Sequence, residues 1–273
     1  MSEDDHVDEH PDRSPQSGLR ADVGAVPLPG AALDPDDRAY LMRHLVAQVL
    51  GGFRPEEWIL DELDDLVMTT IDVDDDVAEV LVGELDVYVR ALLAQERALE
   101  ATWRDATAND LIDRAFAELP RQRIVALQNA GNTQSDCWSD AQEAAAELAG
   151  ELRDADEEDE RDEADDLNDE DGEDDDAYGD SEWAPVLGAV FYHSQDLARA
   201  VHGEGLYLGF GAFSERDEDP SAVDARSVAV GGIARDVLAR HGVPVEWDGT
   251  VEQRLFVPPF NWRRRRWTQP PAG

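Results

Sequence analysis

Two groups of polar side chains follow predicted strands directly and carry atoms that hydrogen-bond ligands. The apolar segments 123–128 and 184–192 predict the two strands. The polar groups after them comprise Asn129, Asn132, Gln134, Ser135 and Asp136, then His193, Gln195 and Asp196. If the strands are neighbours, their ends meet at one edge of a sheet, where polar ligands commonly bind. We therefore predict a site for a small polar ligand or a peptide. Its candidate ligand-binding residues are Asn129, Gln134, Ser135, His193, Gln195 and Asp196.

The same side chains also have a purely structural interpretation. The residues at predicted helix starts are Asp136, Ser139, Ser194 and Asp196. Such residues commonly accept hydrogen bonds from the backbone N–H groups of a first helical turn. Ser139 with Gln142 predicts a capping box that opens a helix to about Leu152. In this interpretation the polar groups cap helices and connect loops rather than bind a ligand.

A catalytic interpretation makes the chain a hydrolase or transferase with His193 as general base and Asp196 or Cys137 nearby. A helix N-terminus beside Cys137 would favour its thiolate, whereas Asp136 and Asp140 would raise the thiol pKa. The residue types permit this chemistry without singling it out. Whether the chain is an enzyme therefore stays open at this point.

The composition argues against several cofactors and against a metal centre. All 23 basic residues are Arg, so the chain has no phosphate-loop Lys and no Lys to form a Schiff base with pyridoxal phosphate. His6 and His10 stand four apart in a polar segment, and Cys137 is the single cysteine. The glycines at 203–211 lack the third glycine and the following helix of a dinucleotide site. We expect no cofactor and no metal.

Strands and helices must position these residues. Further strands are predicted at 205–210, 243–247 and 251–257, and Asp248-Gly249 predicts a tight hairpin between the last two. Together with the alternating helical segments, this pattern predicts an α+β fold. Its body, residues 104–262, is a mixed α/β two-layer structure with about five strands.

A helical region at 34–103 precedes this body. Asp34-Pro35 predicts the start of its first helix, because Asp caps helices and Pro suits the first helical position. Its longest helix is predicted from about Asp75 to Trp103. The predicted apolar face of that helix comprises Val77, Val80, Leu81, Leu85, Val89, Leu92 and Leu93.

The charge of −41, from 64 acids and 23 bases, is unevenly distributed. Residues 151–182 alone contain 20 acids and 2 Arg. This acidic block and residues 1–33 have too few apolar side chains to offset chain entropy, so we predict both to be disordered. An acidic block can also mimic nucleic acid and compete for a basic partner protein, which is a third functional interpretation.

Four consecutive Arg residues lie between Trp262 and Trp267 and begin a basic tail at 263–273. Such a cluster can contact phosphates, but the net charge of the chain argues against nucleic acid as a partner. The acidic block of the same chain is present at high effective concentration. We therefore expect the arginines to pair with that block or with a partner protein.

Four ordered motifs resemble the bacterial domain-of-unknown-function family DUF6891. They are Trp103 with Asn109-Asp110-x-x-Asp113; Ile124-Val125-Ala126-x-x-Asn129 with Thr133-Gln134-Ser135; Phe191-Tyr192-His193-x-Gln195-Asp196 with Gly205-Leu206-Tyr207-Leu208; and Val245-Glu246-Trp247-Asp248-Gly249 with Gln253-Arg254. The resemblance covers roughly residues 100–262. Many members of the family carry a Cys-rich stretch where this chain has only Cys137, with Asn132 and Thr133 in place of a Cys pair. The resemblance implies no activity.

These observations favour a non-catalytic binding or regulatory module with a polar cleft at the strand ends. The expected partner is an unknown protein or a small polar ligand. No apolar run approaches the ~20 residues that span a bilayer, so we expect no membrane contact. One cysteine and the absence of a secretory signal predict a cytoplasmic location. The sequence leaves the oligomeric state open.

Overall fold

A computed structural model describes residues 26–164, 185–214 and 218–268. The chain forms two compact units. The helical unit consists of Met1–Leu111, Leu197–Gly205 and Pro258–Gly273, and the sheet unit of Ile112–Asp196 and Leu206–Val257. Disorder was predicted for residues 1–33 and 151–182. Residues 1–25 and 165–182 lie outside the described residues, as do residues 269–273. The prediction was wrong for residues 26–33, which the structure describes, and for residues 151–164, which are helical. No helix in the described ranges is long and apolar enough to cross a membrane.

Four helices build most of the helical unit: α1 (Pro35–Gly51), α2 (Glu56–Asp61), α3 (Leu63–Thr70) and α4 (Asp75–Glu100). The start predicted for α1 is confirmed, because the Asp34 carboxylate accepts from the Asp36 N–H and Pro35 occupies the first position. Gly52 ends this helix in the left-handed conformation, with a φ of 79°. Local sequence signals therefore set both ends of α1.

The buried face of α4 differs from the predicted face. The residues that α4 contributes to the core are Ala78, Leu81, Leu85, Tyr88, Val89, Leu92 and Leu93. Val77 and Val80, which were predicted to lie on the same face, are exposed. The helix advances about 100° per residue, so the burial of Ala78 and Leu81 turns Val77 and Val80 away from the core. Those two positions of the prediction were wrong.

The C-terminal arginines pack within the helical unit. Arg265 Nε donates to Asp110 at 3.0 Å, and Arg266 Nη2 donates to the Val49 carbonyl at 2.6 Å. The carboxylate of Glu100, which is buried, accepts from the backbone N–H groups of residues 266–268. We expected intramolecular pairing with the acidic block 151–182. In the part of the chain that the structure describes, Asp110 and Glu100 are two carboxylates that bind this segment. The expected pairing with the acidic block or a partner protein stays a prediction, because residues 165–182 lie outside that part.

The sheet unit contains four strands in the described residues: β1 (Ile124–Gln128), β2 (Gly188–Tyr192), β3 (Leu206–Gly211) and β4 (Leu255–Val257). They lie side by side in the order β1-β2-β3-β4. The β1–β2 pair is parallel, and the other two pairs are antiparallel. The predicted α+β class with a mixed sheet is confirmed.

The predicted fifth strand is reduced to one bridge between Glu246 and Phe256. The indole N–H of Trp247 donates to the carbonyl oxygens of Thr250 and Gln253, and the Asp248 carboxylate accepts from the Thr250 N–H. These bonds shape residues 247–253 into a loop, so the two-residue hairpin predicted at Asp248-Gly249 was wrong. The sheet has four strands rather than about five.

Helices cover both faces of the sheet. The prediction was a two-layer body. They are α5 (Ala108–Glu118), α6 (Gln134–Ala164) and α8 (Pro220–Arg240), while α7 (Ser194–Val201) follows β2. Trp138 of α6 contacts Phe191 edge to face. A side chain at Gly231 of α8 would meet the ring of Phe210. Phe210 pairs with Val190, so these two side chains lie on the same face of the sheet. Phe191 follows Val190 in the strand and therefore points to the opposite face.

Helix α6 is longer than predicted. It begins at Gln134, five residues before Ser139, and continues to Ala164 instead of ending near Leu152. It therefore enters the first part of the acidic block, residues 151–164. The remaining residues of the block, 165–182, lie outside the described part of the chain.

Candidate functional site

The two polar loops meet at one edge of the sheet, because β1 and β2 are adjacent and parallel. The backbone N–H of Ala130 donates to the carbonyl of Tyr192 at 3.0 Å, and the N–H of Ser194 donates to Gly131 at 3.3 Å. These bonds continue the strand pairing into the loops. The structure thus brings together the two groups of candidate residues, which are more than 50 positions apart in the sequence.

The loop after β1 turns sharply at Asn129. This residue has a φ of 53°, in the left-handed region that Asn tolerates better than most residues. Its side-chain oxygen Oδ1 is buried and has no hydrogen-bond partner among the described residues. A buried amide oxygen without a donor costs free energy, and such atoms are uncommon in folded proteins. Asn129 therefore offers an acceptor that a water molecule can satisfy.

The N-terminus of α6 is closed by a capping box six residues earlier than predicted. Thr133 Oγ1 accepts from the Asp136 N–H, and Asp136 Oδ2 accepts from the N–H groups of Asn132 and Thr133. Hydrogen bonds from Asn132 and Thr133 lower the pKa of the Asp136 carboxyl. The capping box predicted at Ser139 was wrong, because the Ser139 hydroxyl donates to the Ser135 carbonyl inside the helix.

Gln134 and Ser135 occupy the exposed first turn of α6. Gln195 and Ser194 instead connect the two loops: Gln195 Nε2 donates to the Asn132 carbonyl, and Ser194 Oγ donates to Asn132 Oδ1, both at 3.2 Å. Part of the structural interpretation is therefore correct for Gln195 and Ser194. Gln134 and Ser135 remain in position to contact a ligand.

Asp196 lies at the centre of a buried ionic cluster. Its side chain is 2% exposed, and Nη1 of Arg254 lies 3.1 and 3.0 Å from its two oxygens. His193 Nδ1 lies 3.2 Å from Oδ2, and the Arg254 guanidinium stacks 4.7 Å from the centroid of Tyr207. Burial raises the pKa of the Asp196 carboxyl, while the charges of Arg254 and His193 partly offset this effect. We call His193, Asp196, Arg254 and Tyr207 the Asp196 cluster.

The ring of His193 has two alternative partners on Asp196. When Nδ1 carries no proton, it accepts from the Asp196 backbone N–H at 3.2 Å and caps α7. When Nδ1 is protonated, it donates to the Asp196 carboxylate. Within the described ranges, His193 Nε2 and the Nε and Nη2 atoms of Arg254 have no hydrogen-bond partner. The buried carboxylate thus orients two side chains whose outer nitrogen atoms stay available for hydrogen bonds.

Arg254 is the principal site residue that sequence reasoning missed. It stands 58 positions after Asp196 and just before β4, and only the pairing of β3 with β4 places it over Tyr207. The sequence did contain an indication of its role, because Arg254 is a cation that directly precedes the apolar run 255–257. Buried carboxylates require such a partner. Identifying this one still required the strand order.

Cys137 is poorly suited to be a nucleophile. Its thiol is buried and donates to the Ala130 carbonyl at 2.8 Å. Burial, together with the charges of Asp140, Asp196 and Asp136, raises its pKa to about 11. The thiolate needed for attack is therefore scarce at neutral pH.

We expect Cys137 to react with Ellman's reagent at least about 100-fold more slowly in the folded protein than in the chain unfolded in guanidinium chloride, because both burial and the raised pKa suppress the thiolate. Absorbance at pH 8 follows the reaction. Stoichiometric labelling of the folded protein within seconds would contradict the buried, protonated thiol.

Replacing Arg254 with Gln is expected to raise the pKa of Asp196 further, because the buried carboxylate loses its principal cation. A carboxyl with a raised pKa holds its proton in the folded state, so the variant loses stability relative to wild type as the pH rises through that pKa. A ¹³C NMR titration of the Asp196 carboxyl carbon measures the shift.

The matched control is Arg235→Gln, which removes an exposed arginine of α8 paired with its neighbour Asp236. It should leave the titration of Asp196 unchanged. An unaltered Asp196 titration in the Arg254→Gln variant would show that the two side chains do not interact.

The described residues include no group of three or more His, Cys, Asp or Glu side chains arranged to hold a metal ion. His6 and His10 lie outside those residues. The site is therefore described by its hydrogen-bonding groups and by the Asp196 cluster.

Fold and site define an α+β protein with a polar edge on two parallel strands and a buried carboxylate beneath it. The chain belongs to the family described as "Domain of unknown function (DUF6891)", whose sequence profile matches residues 34–161 and 158–266. The sequence motifs that resemble this family lie at roughly residues 100–262. The profile match is longer and also includes the helical region from residue 34. No curated protein and no solved structure matches the chain.

Proposed function

We propose that the chain is a non-catalytic binding or regulatory module that holds a small polar ligand or a peptide at the carboxyl edge of β1 and β2. The observation that carries this proposal is the Asp196 cluster. Its carboxylate fixes His193 and Arg254 while Nε2 of His193 and the outer N–H groups of Arg254 stay available. Orienting donors in advance reduces the entropy that a ligand must overcome on binding.

The ligand would present hydrogen-bond acceptors to His193 and Arg254. Arg254 is 39% exposed, so a group in solution can reach its outer nitrogens. Gln134 and Ser135, on the exposed first turn of α6, supply further donors and acceptors on the same edge. The unpartnered oxygen of Asn129 is buried, so a bridging water rather than the ligand itself would donate to it. We also propose a cytoplasmic location, in keeping with a single cysteine in 273 residues.

Backbone-amide NMR of the full chain tests the proposal. Acetate, inorganic phosphate and N-acetylglycinamide serve as separate probes, and the expected result is a saturable shift of the amides of residues 129–136 and 193–196 with at least one of them. The double variant Gln134→Ala/His193→Ala should weaken that binding at least tenfold. Gln142→Ala, at an exposed Gln of the same helix, is the control and should bind as wild type. Unchanged affinity in the double variant would overturn the proposal.

A second candidate function is a hydrolase or transferase with His193 as general base. It is favoured by one distance, the 3.2 Å between His193 Nδ1 and the buried Asp196 carboxylate, which leaves Nε2 to accept a proton. Hydrolysis of p-nitrophenyl acetate tests it. A catalytic His193 gives a rate that rises through a single ionisation, and His193→Gln abolishes both the rate and the ionisation. If the His193→Gln variant hydrolysed the ester as fast as the Gln142→Ala control, this function would be excluded.

A further inference from the structure

The outer face of α4 carries an apolar stripe that the core does not use. Val80 and Val87 are 64% and 58% exposed, and Val77 is exposed beside them. These positions lie within about 80° of one another around the helix. Scattered exposed valines are common, whereas exposed apolar side chains gathered along one helix face mark a surface for another molecule.

A second wall turns this stripe into a groove. Residues 26–31 run alongside α4 and enclose a volume of about 430 Å³ with it. The lining of the groove comprises Val26, Pro27, Leu28, Pro29, Ala31, Val80, Gly83, Glu84 and Val87. We call this feature the α4 groove. At Gly83 an added Cβ would meet no atom within 4 Å, so a bound chain can approach the helix backbone closely.

The second wall is held in place by hydrogen bonds. Glu84 Oε2 accepts from the Gly30 N–H at 2.8 Å. Arg38 donates to the carbonyl oxygens of Pro29 and Leu28, both at 2.7 Å. The two prolines restrict the backbone of the wall further. The α4 groove is therefore formed before any partner arrives.

Acidic side chains flank the α4 groove. Asp76 and Glu79 are exposed on the preceding turn of α4, whereas Asp86, one position before Val87, is paired with Arg90. Residues 41–100 together contain 15 acids against 4 Arg. A second copy of this chain would bring one acidic surface against another, which costs free energy at physiological salt. The surface instead matches a partner with basic flanks.

We propose that the α4 groove binds a basic amphipathic helix of a partner protein. Apolar side chains of that helix at i, i+3 and i+10 would contact Val77, Val80 and Val87, and its Lys or Arg side chains would face Asp76 and Glu79. This inference rests on the helical unit alone, so it stands or falls independently of the binding function of the sheet unit.

A pair of synthetic peptides tests the groove on the full chain. The probe is a fluorescein-labelled 18-residue helix of Leu and Lys with Leu at i, i+3, i+4 and i+7; in its matched partner every Lys is Glu. Fluorescence anisotropy should show binding of the Lys peptide that weakens as NaCl is raised, and at least tenfold weaker binding of the Glu peptide. The double variant Val80→Gln/Val87→Gln should lose at least tenfold in affinity for the Lys peptide.

The control is Met68→Gln, which changes a residue of the same unit that is 51% exposed but lies on α3. It should bind as wild type, and all variants should fold because the changed side chains face solvent. Equal affinity of the wild type and the double variant would overturn the proposal by showing adsorption through charge alone. Self-association that the double variant abolishes would overturn it in favour of a second copy. Nuclear Overhauser contacts from the Val80 methyls to residues before Val26 would overturn it in favour of the chain's own N-terminal segment.

Discussion

Replacing Gly188 with Ala is expected to destabilise the sheet unit by about 3 kcal/mol or more, at the upper end of the cost of overpacking a core. Gly188 begins β2 and pairs with Ile124. An added Cβ would meet the carbonyl oxygen of Gly211 and lie 2.9 Å from the Cα of Ala212. Both are backbone atoms, so no side-chain rotation relieves the contact. Urea unfolding followed by circular dichroism measures the loss.

The control is the same substitution at Gly232, in α8 of the same unit. No atom lies within 4 Å of a Cβ added there, and Ala is favoured over Gly inside a helix. Gly232→Ala should therefore stabilise the protein by up to about 1 kcal/mol. If Gly188→Ala instead unfolded within 1 kcal/mol of wild type, the close approach of β2 to the end of β3 would be refuted.

Features decided by neighbouring residues could be predicted from the sequence. The start of α1 depends on Asp34 and Pro35, which act within one turn, and this prediction is confirmed. The first three strands also follow from short apolar runs bounded by turn residues. A common site required β1 and β2 to be neighbours, and the structure shows that they are.

Features decided by distant residues could not be predicted. Two adjacent apolar faces run along α4. Because α1 and α3 pack against the face that contains Ala78, that face is buried, and the face with Val77 and Val80 is exposed. The indole of Trp247 opens the expected hairpin by bonding two carbonyl groups across the loop. In both cases the local pattern permits two structures, and tertiary contacts select one.

The candidate site shows the same division. His193 and Asp196 are three residues apart, so their contact follows from the first turn of α7. This contact can therefore be predicted from the sequence. The role of Arg254 depends on the order of all four strands. Of the predicted residues, Gln195 connects the loops, whereas Gln134 and Ser135 stay exposed on α6. The spacing of polar residues in the sequence thus predicts which edge of the sheet carries the site. Only the fold shows which of those residues hold the loops together and which remain free to contact a ligand.

The strongest anchor of the helical unit is Glu100, at the end of α4. Its carboxylate accepts four hydrogen bonds, from the N–H groups of Arg266, Trp267 and Thr268 and from the Thr268 hydroxyl, at 2.6 to 2.9 Å. Burial alone would raise its pKa, but the hydrogen bonds from Arg266, Thr268 and Trp267 together outweigh burial, and the net pKa is lowered. The ionised carboxylate therefore holds the C-terminal segment.

Replacing Glu100 with Ala is expected to cost about 3 kcal/mol of unfolding free energy at pH 7, because three backbone donors and one hydroxyl lose a charged acceptor. Trypsin should also cleave after Arg264 to Arg266 faster in the variant, since the segment detaches. The control is Glu79→Ala, at an exposed Glu of α4, which should stay within about 0.5 kcal/mol of wild type.

The pH dependence of that cost has a definite sign. Because the folded pKa of Glu100 lies below its unfolded value, the stabilisation is complete above the unfolded pKa of about 4.3 and is lost as the pH falls through the folded pKa. The difference in unfolding free energy between wild type and Glu100→Ala should therefore be constant from pH 7 to about 5.5 and shrink below about pH 4. Urea titrations at each pH measure it. A difference that grew with acidity would mean that the protonated carboxyl, rather than the carboxylate, holds residues 266–268 against α4.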